Sequence, residues 1–430
     1  MIMKKILLSA ALMAACVTIS AQKLTYIPWT ENALMQGTVI SDNGKYVGGS
    51  DTEGRAFIYD TTTGQIKYFV SPNLGSENSQ SANDADVRAI SNDGIGVGYL
   101  ENTATKFNFA TGEYEKLLNE NSIANYISTE GKIFGLTYNK AYQQTPVIFS
   151  DGTKTELPQA TEAWLGYECD GMGVRSGNAD GSVLIGYSQD SFATSPLIIW
   201  ALNKDNTTYS VVPASKKYVD TSMMLDGPQK FESFEGAAIS QNGKYVAVNL
   251  HDKEDYDHGS TFVRYNVETD TYEDITCPEL SDVLWYYANA VSNDGTIIGY
   301  IEDQQSGARY AMICKAGETE AKRMSEVFPT LTDIAKMDAN QTNTPCAITS
   351  DGRYIAGFGY VDMDETSLCF GTYFIDTKAS TDGVDNAASD SKANKVVASY
   401  TVDGKKNRPV NNRLHINKLA NGKSVKTIMK

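Results

Sequence analysis

The chain has 430 residues, 41% of them hydrophobic, and a formal charge of −16 at pH 7. That length is ample for a buried core, and the acidity excludes nucleic acid and anionic membrane surfaces as natural partners. The charge is unevenly spread: residues 392–430 hold ten Lys and Arg against the single acid Asp403, a net of +9 that leaves −25 for the rest.

At the N-terminus, Lys4-Lys5, the apolar stretch 6–15 and Ile19-Ser20-Ala21 have the layout of a secretory signal over residues 1–21, cleaved before Gln22. The apolar run is shorter than the roughly 20 residues that span a bilayer, and no later stretch reaches that length, so no transmembrane segment is expected. Leu12-Met13-Ala14-Ala15-Cys16 resembles a bacterial lipobox, which would anchor a lipoprotein through Cys16. Ser20-Ala21-Gln22 is the better-formed site, and ordinary cleavage is the reading taken.

Lys23-Leu24-Thr25-Tyr26-Ile27 then reads as a lone strand. After it, one phrase recurs seven times: an apolar step, a hydroxyl or amide residue, a polar turn ending in Gly, and a second apolar run. The copies include Val39-Ile40-Ser41-Asp42-Asn43-Gly44, Ala89-Ile90-Ser91-Asn92-Asp93-Gly94, Tyr126-Ile127-Ser128-Thr129-Glu130-Gly131 and Asn178-Ala179-Asp180-Gly181. They continue through Ala238-Ile239-Ser240-Gln241-Asn242-Gly243 and Ala290-Val291-Ser292-Asn293-Asp294-Gly295 to Ile348-Thr349-Ser350-Asp351-Gly352. The turn glycines lie 50, 37, 50, 62, 52 and 57 residues apart, one four-stranded sheet per copy, which predicts a seven-bladed β-propeller over residues 22–377.

Within a blade, strand A ends at the hydroxyl residue, and Asx-Gly supplies the positive φ of a two-residue hairpin turn. Strand B follows with a small residue four places beyond the turn: Gly48, Gly98, Gly135, Ala247, Gly299, Ala356. A close neighbouring blade is the expected reason. The fourth copy has an extra residue before Gly186, expected to be a bulge. Strand C reads as Ala56-Phe57-Ile58-Tyr59 and its counterparts, apolar on both faces as a sandwiched sheet should be. The seventh copy lacks a strand D, so the strand at 23–27 is expected to close the ring there, removing the exposed edges.

Ile40 to Tyr59 resembles the extracellular HAF repeat, and Ile239-Ser240-Gln241-Asn242-Gly243-Lys244-Tyr245-Val246-Ala247 is similar to the propeller repeat of the TolB type. These resemblances imply a fold and leave activity open.

In a propeller the A–B and C–D turns share one face, and the D–A and B–C connections share the other. The latter are read as the long ones, and long loops in a compact domain are where function is expected. They carry aromatics placed as platforms for a glycan or a protein or peptide ligand: Trp164 and Tyr167, then Trp285, Tyr286 and Tyr287. His251, Asp255 and His258 are weak metal candidates, without close ligand spacing or a third His. No cofactor is expected. The five cysteines beyond the signal form no CxxC pair, and no nucleophile elbow, HExxH or P-loop is present.

Residues 378–394 are poor in large apolar side chains and read as a flexible linker. Residues 395–430 alternate again and predict a small β module of two or three strands. Tyr400-Thr401-Val402-Asp403-Gly404-Lys405, Leu414-His415-Ile416-Asn417-Lys418 and Asn421-Gly422 to Lys430 resemble the C-terminal sorting domain of type IX secretion cargo. That resemblance implies export of the chain to the surface or exterior of a Gram-negative cell, with the export machinery as a partner. Asn412-Arg413 stands where the family usually has Gly. The reading taken is a secreted or surface-displayed, non-catalytic binding scaffold. A hydrolase or lyase acting on polysaccharide or peptide, and a structural component of a surface assembly, are the alternatives.

Overall fold

The repeated phrase folds into a hairpin tied off by its own side chain. Tyr46 N–H donates to Ser41 Oγ at 2.9 Å, and the equivalent amides donate to Ser91 Oγ at 3.0 Å, Asn178 Oδ1 at 2.8 Å and Thr349 Oγ1 at 2.9 Å. Gly44 N–H returns to Ser41 O at 2.8 Å, with the glycine at φ +70°. Of the turn residues only the glycine is left-handed, so this is a type I turn closed by an αL glycine, rather than the expected two-residue turn. Blades 1, 4, 5 and 7 carry one more turn residue than blades 2, 3 and 6: Ser41 N–H bonds Tyr46 O, but Ser91 N–H bonds Ile95 O. That longer turn explains the shifted position of Gly186.

The computed structural model describes residues 22–27, 35–72, 85–161, 171–189, 197–213, 230–252, 260–278, 284–303, 305–339, 342–364 and 367–378, together with three strands nearer the C-terminus. Seven four-stranded antiparallel sheets make the blades of a β-propeller. Blade 1 runs Met35–Ile40, Tyr46–Asp51, Ala56–Asp60, Ile66–Phe69. Blades 2 to 6 begin with inner strands Ala85–Ile90, Ser122–Ile127, Gly171–Gly177, Lys230–Ile239 and Leu284–Val291. Blade 3, closing the short 37-residue interval, is complete, because Glu101 and Asn102 of blade 2 turn in two residues at φ 52° and 58°.

Blade 7 takes Thr344–Ile348, Tyr354–Asp364 and Ser367–Asp376 from the end of the body and its fourth strand, Lys23–Tyr26, from the beginning. The register runs antiparallel from Lys23 opposite Asp376 to Tyr26 opposite Tyr373, and Ile27 N–H adds a bond to Thr372 O at 2.9 Å. The ring therefore closes as the lone strand predicted.

Apolar side chains pack between successive sheets. Ile27, Val47, Phe57, Tyr59, Ala356 and Phe374 join blades 7 and 1. Trp200, fully buried between blades 3 and 4, keeps its indole N–H bonded to Pro158 O at 2.7 Å. The D–A connection between blades 6 and 7 is more than a loop: it contains helices Met324–Val327 and Thr332–Ala339, which bury Met324, Ile334 and Met337. B–C connections are also shorter than expected in several blades, Asp51 to Arg55 being one tight turn, so length is concentrated in the D–A loops.

On the turn face the blades are fastened to each other. Asn43 N–H donates to Asn92 Oδ1 at 2.8 Å, and its side-chain amide donates to Asn92 O at 3.0 Å. Asn242 does the same to Asn293, at 2.7 and 2.9 Å. Thr129 N–H reaches Ala179 O, Ala179 N–H reaches Gln241 O, Asn293 N–H reaches Ser350 O, and Ser350 N–H ends on Asp42 Oδ1 at 2.7 Å. The Asx residues of the phrase thus serve as clasps between blades as well as turns within them.

A three-stranded antiparallel sheet, Val396–Tyr400, Leu414–Leu419 and Ser424–Ile428, belongs to a unit separate from Gln22–Thr377. Among the described residues no helix is long and apolar enough to cross a membrane.

Candidate functional site

Count back six residues from each turn glycine and the positions are Thr38, Arg88, Asn125, Arg175, Ala237, Asn289 and Cys346. Apart from blade 5, the inner-strand register skips this residue each time: Gly37 and Val39 pair with Gly49 and Gly48, Val87 and Ala89 with Gly98 and Val97, Ala288 and Ala290 with Gly299 and Ile298. The same skip occurs at Asn125, Arg175 and Cys346, and in blade 5 it lies between Ser233 and Ala238. Each is a β-bulge, which gives a strand one extra residue and re-aims its side chain.

The bulge also explains the recurring small residue opposite it. A Cβ at Gly98 would lie 1.8 Å from Asp86 O; at Gly135, 1.9 Å from Ile123 O; at Gly299, 2.0 Å from Tyr287 O. The carbonyl before each bulge occupies the space, so the constraint comes from within the blade and not from the next one as expected. In blades 1 and 4, whose turns are one residue longer, that place falls to Gly49 and Gly186, 1.9 Å from Gln36 O and 2.0 Å from Gly173 O, whereas Gly48 meets Val87 of blade 2 at 2.8 Å.

The bulged side chains converge on a central cavity of about 1050 Å³, lined by Thr38, Arg88, Asn125, Arg175, Asn289 and Cys346. Two of them brace the ring. Asn125 Nδ2–H donates to Val174 O of blade 4 and Asn289 Nδ2–H to Pro345 O of blade 7, both at 2.7 Å. Burial pushes the Cys346 thiol up to about 12, which leaves it un-ionised at neutral pH and a poor nucleophile.

Charge divides along this channel. Near the turn face, Asp42 accepts two hydrogen bonds from Ser350 and Asp93 accepts one from Ser91 Oγ. Toward the D–A face stand Arg88, Arg175 and Arg309, among Tyr138, Tyr187 and Tyr300. Arg309 pairs with Glu302 at 2.7 Å and lies 5.1 Å over the Tyr300 ring. Arg88 Nε lies 3.2 Å from Asp86 Oδ2, with its guanidinium 5.4 Å over Tyr99. Its side chain is 40% exposed, to the enclosed channel, and that of Asp86 is 15% exposed.

Burial pushes the Asp86 carboxyl up to about 6, against the opposing pull of Arg88 and of hydrogen bonds from Ser50 and the Val87 amide. Asp86 therefore binds a proton more tightly folded than unfolded, where its value is 3.8. Its contribution favours folding below pH 4 and turns unfavourable as pH rises through about 6. The full difference is on the order of 3 kcal/mol. Urea denaturation from pH 4 to 7 is expected to show a flatter pH slope for Asp86→Asn than for the parent; equal slopes would remove the carboxyl from the channel wall.

The aromatics singled out in the sequence are distributed differently from expectation. Trp285, Tyr286 and Tyr287 lie in the inner strand of blade 6 rather than a loop, opposite Glu302, Ile301 and Tyr300. Strand alternation splits them. Tyr286 packs edge-on to Phe262, 6.2 Å away, in the interblade core. Trp285 stacks on Tyr287 at 6.4 Å, and Tyr287 on Tyr300 at 4.7 Å, a series ending on the channel wall. Trp164 and Tyr167 lie outside the described residues, as do Asp255 and His258. His251 ends up in a strand, paired with Ser260. Among the described residues, no three His, Cys, Asp or Glu side chains gather as metal ligands.

No family model matches the chain, and no curated protein sequence matches it. Among solved structures, an oligogalacturonate lyase in complex with manganese is similar at TM-score 0.47 and 12% identity, over 83% of this chain and 98% of that one. TolB from Acinetobacter baumannii is similar at TM-score 0.37 and 13% identity, over 73% and 68%. Both are β-propellers. The seven-bladed assignment here stands on the sheet topology itself.

Proposed function

We propose that this protein is a non-catalytic binding propeller whose ligand, a glycan or a peptide, enters the central channel from the D–A face. The observation that carries the reading is the ring of bulges. Six blades each aim one side chain into the same cavity, and the chemistry of those side chains varies while their position does not. A rigid frame presenting variable polar groups is the usual build of a recognition site. The Trp285–Tyr287–Tyr300 stack beside it supplies aromatic surface.

The signal at 1–21 and the tail's likeness to type IX sorting domains support export to the cell surface or medium. The test is an array of glycans and peptides probed with the full chain and with Trp285→Ala and Arg175→Gln. Binding lost in both variants is expected. Binding untouched by either would put the ligand elsewhere.

One observation favours catalysis as the second reading. Asp86 is a buried carboxyl raised to about 6 in a channel beside Arg88 and Tyr99, a perturbation found at general acids. Product release from polysaccharide or peptide substrates, abolished in Asp86→Asn, would make it the better one.

A further inference from the structure

Asn-Gly is the dipeptide most prone to deamidation, because a glycine nitrogen, with no side chain beside it, closes readily on the asparagine side chain. Asn43-Gly44 and Asn242-Gly243 both fall in the blade turn, in blades 1 and 5; a third copy, Asn421-Gly422, lies outside the described residues. The reaction needs freedom at two places. The Gly nitrogen gives up its proton and bonds to the Asn Cγ, the Cγ–Nδ2 bond breaks, and the amide nitrogen leaves as ammonia, taking up a proton. Water then opens the succinimide ring at one of its two carbonyls, which gives Asp or isoAsp.

The closed ring ties both places. Gly44 N–H is bonded to Ser41 O and Gly243 N–H to Ser240 O, each at 2.8 Å. Asn43 Oδ1 accepts from Ser41 Oγ at 2.7 Å and from Lys45 N–H at 3.0 Å, while Nδ2–H donates to Asn92 O of blade 2. Asn242 repeats this with Ser240 Oγ at 2.7 Å, Lys244 N–H at 3.1 Å and Asn293 O of blade 6. Both asparagines are exposed. Hydrogen bonding, and not exclusion of water, is therefore what holds the side chain away from the glycine nitrogen.

Other blades show how the product behaves at the same spot. Asp294 accepts from Ser292 Oγ and Thr296 N–H, and Asp351 from Thr349 Oγ1 and Arg353 N–H. An Asp thus keeps the turn. A carboxylate has no hydrogen to donate, so it cannot clasp the carbonyl of the next blade, and isoAsp adds a carbon to the backbone of the hairpin as well.

We propose that Asn43 and Asn242 are latent deamidation sites, shut by the clasps of the closed ring and open once the blades part, and that conversion there permanently weakens the seams between blades 1 and 2 and between blades 5 and 6. Loss of ammonia makes the change one-way.

Incubation of the full chain at mildly alkaline pH, with and without urea, followed by peptide mass spectrometry, tests this. Conversion at both sites is expected to be about tenfold slower, or more, in the folded protein, where it waits on local opening. Asn92→Ala removes the Oδ1 that accepts Asn43 N–H, and Asn293→Ala removes its counterpart for Asn242. Each variant, shown to be folded by its thermal melt, is expected to speed conversion severalfold at its own partner and to leave the other site unchanged. General loosening would speed both. The double variant Asn43→Asp, Asn242→Asp is expected to melt below the parent.

Equal rates with and without urea overturn the protection. Acceleration at both sites in either single variant, or at neither, overturns its assignment to the clasps. An unchanged melting temperature in the double variant overturns the weakening of the seams.

Discussion

A chain lacking residues 23–27 is expected to melt about 10 °C below the intact protein. The deletion takes away the outer strand of blade 7, its ladder to Ser367–Asp376 and the Ile27 bond to Thr372. Ile27 is fully buried between blades 7 and 1, and its loss alone is worth roughly 2–3 kcal/mol. Leu24 and Tyr26 pack on the adjoining cluster with Ile355 and Tyr373. Several kcal/mol in all are at stake, and the deleted protein also exposes a new strand edge, which invites aggregation. Differential scanning calorimetry reads the shift; an unchanged melting temperature would mean the ring does not depend on this closure.

The second large effect is expected at Gly135. Its Cβ would lie 1.9 Å from Ile123 O, a backbone atom that cannot step aside. Gly135→Ala should destabilise the protein by about 3 kcal/mol, the upper end for one added methyl group in a packed interior. The mechanism predicts more than lost stability. Forcing the carbonyl back flattens the bulge, and Asn125 then loses its hold on Val174 O. Gly352→Ala is the matched comparison, since nothing stands within 4 Å of its Cβ. It meets only the penalty of φ +68°, about 1–2 kcal/mol. Chemical denaturation of the two variants side by side would show the order, and a smaller loss at Gly135 than at Gly352 would refute the account.

Much of the architecture is legible before any coordinates. The turn glycines announce the blades because a left-handed residue is needed at each turn, and Gly44 through Gly352 all adopt it. The closing strand is legible because an odd strand at one end meets a missing one at the other. The channel is harder to see. Thr, Arg, Asn and Cys at one position share no chemistry, so a search for recurring residue types passes over them. Only counting back from the glycine, or asking why Gly98 and Gly135 sit opposite that spot, would reveal the bulge. The three consecutive aromatics 285–287 hide a strand, since alternation cannot show when every residue is apolar. Helices as short as Met324–Val327 give no periodic signal at all.

Joining residue 23 to residue 376 has a consequence in time. The first strand of the body is made long before its partner exists. At roughly 5–20 residues per second, it waits on the order of half a minute for the rest of the chain to be synthesised. Any blades that fold within that interval form an open arc with a bare edge at each end. Whatever shields those edges while the arc grows, a chaperone or the passage of an unfolded chain through an export pore, governs how much of this protein ever becomes a ring.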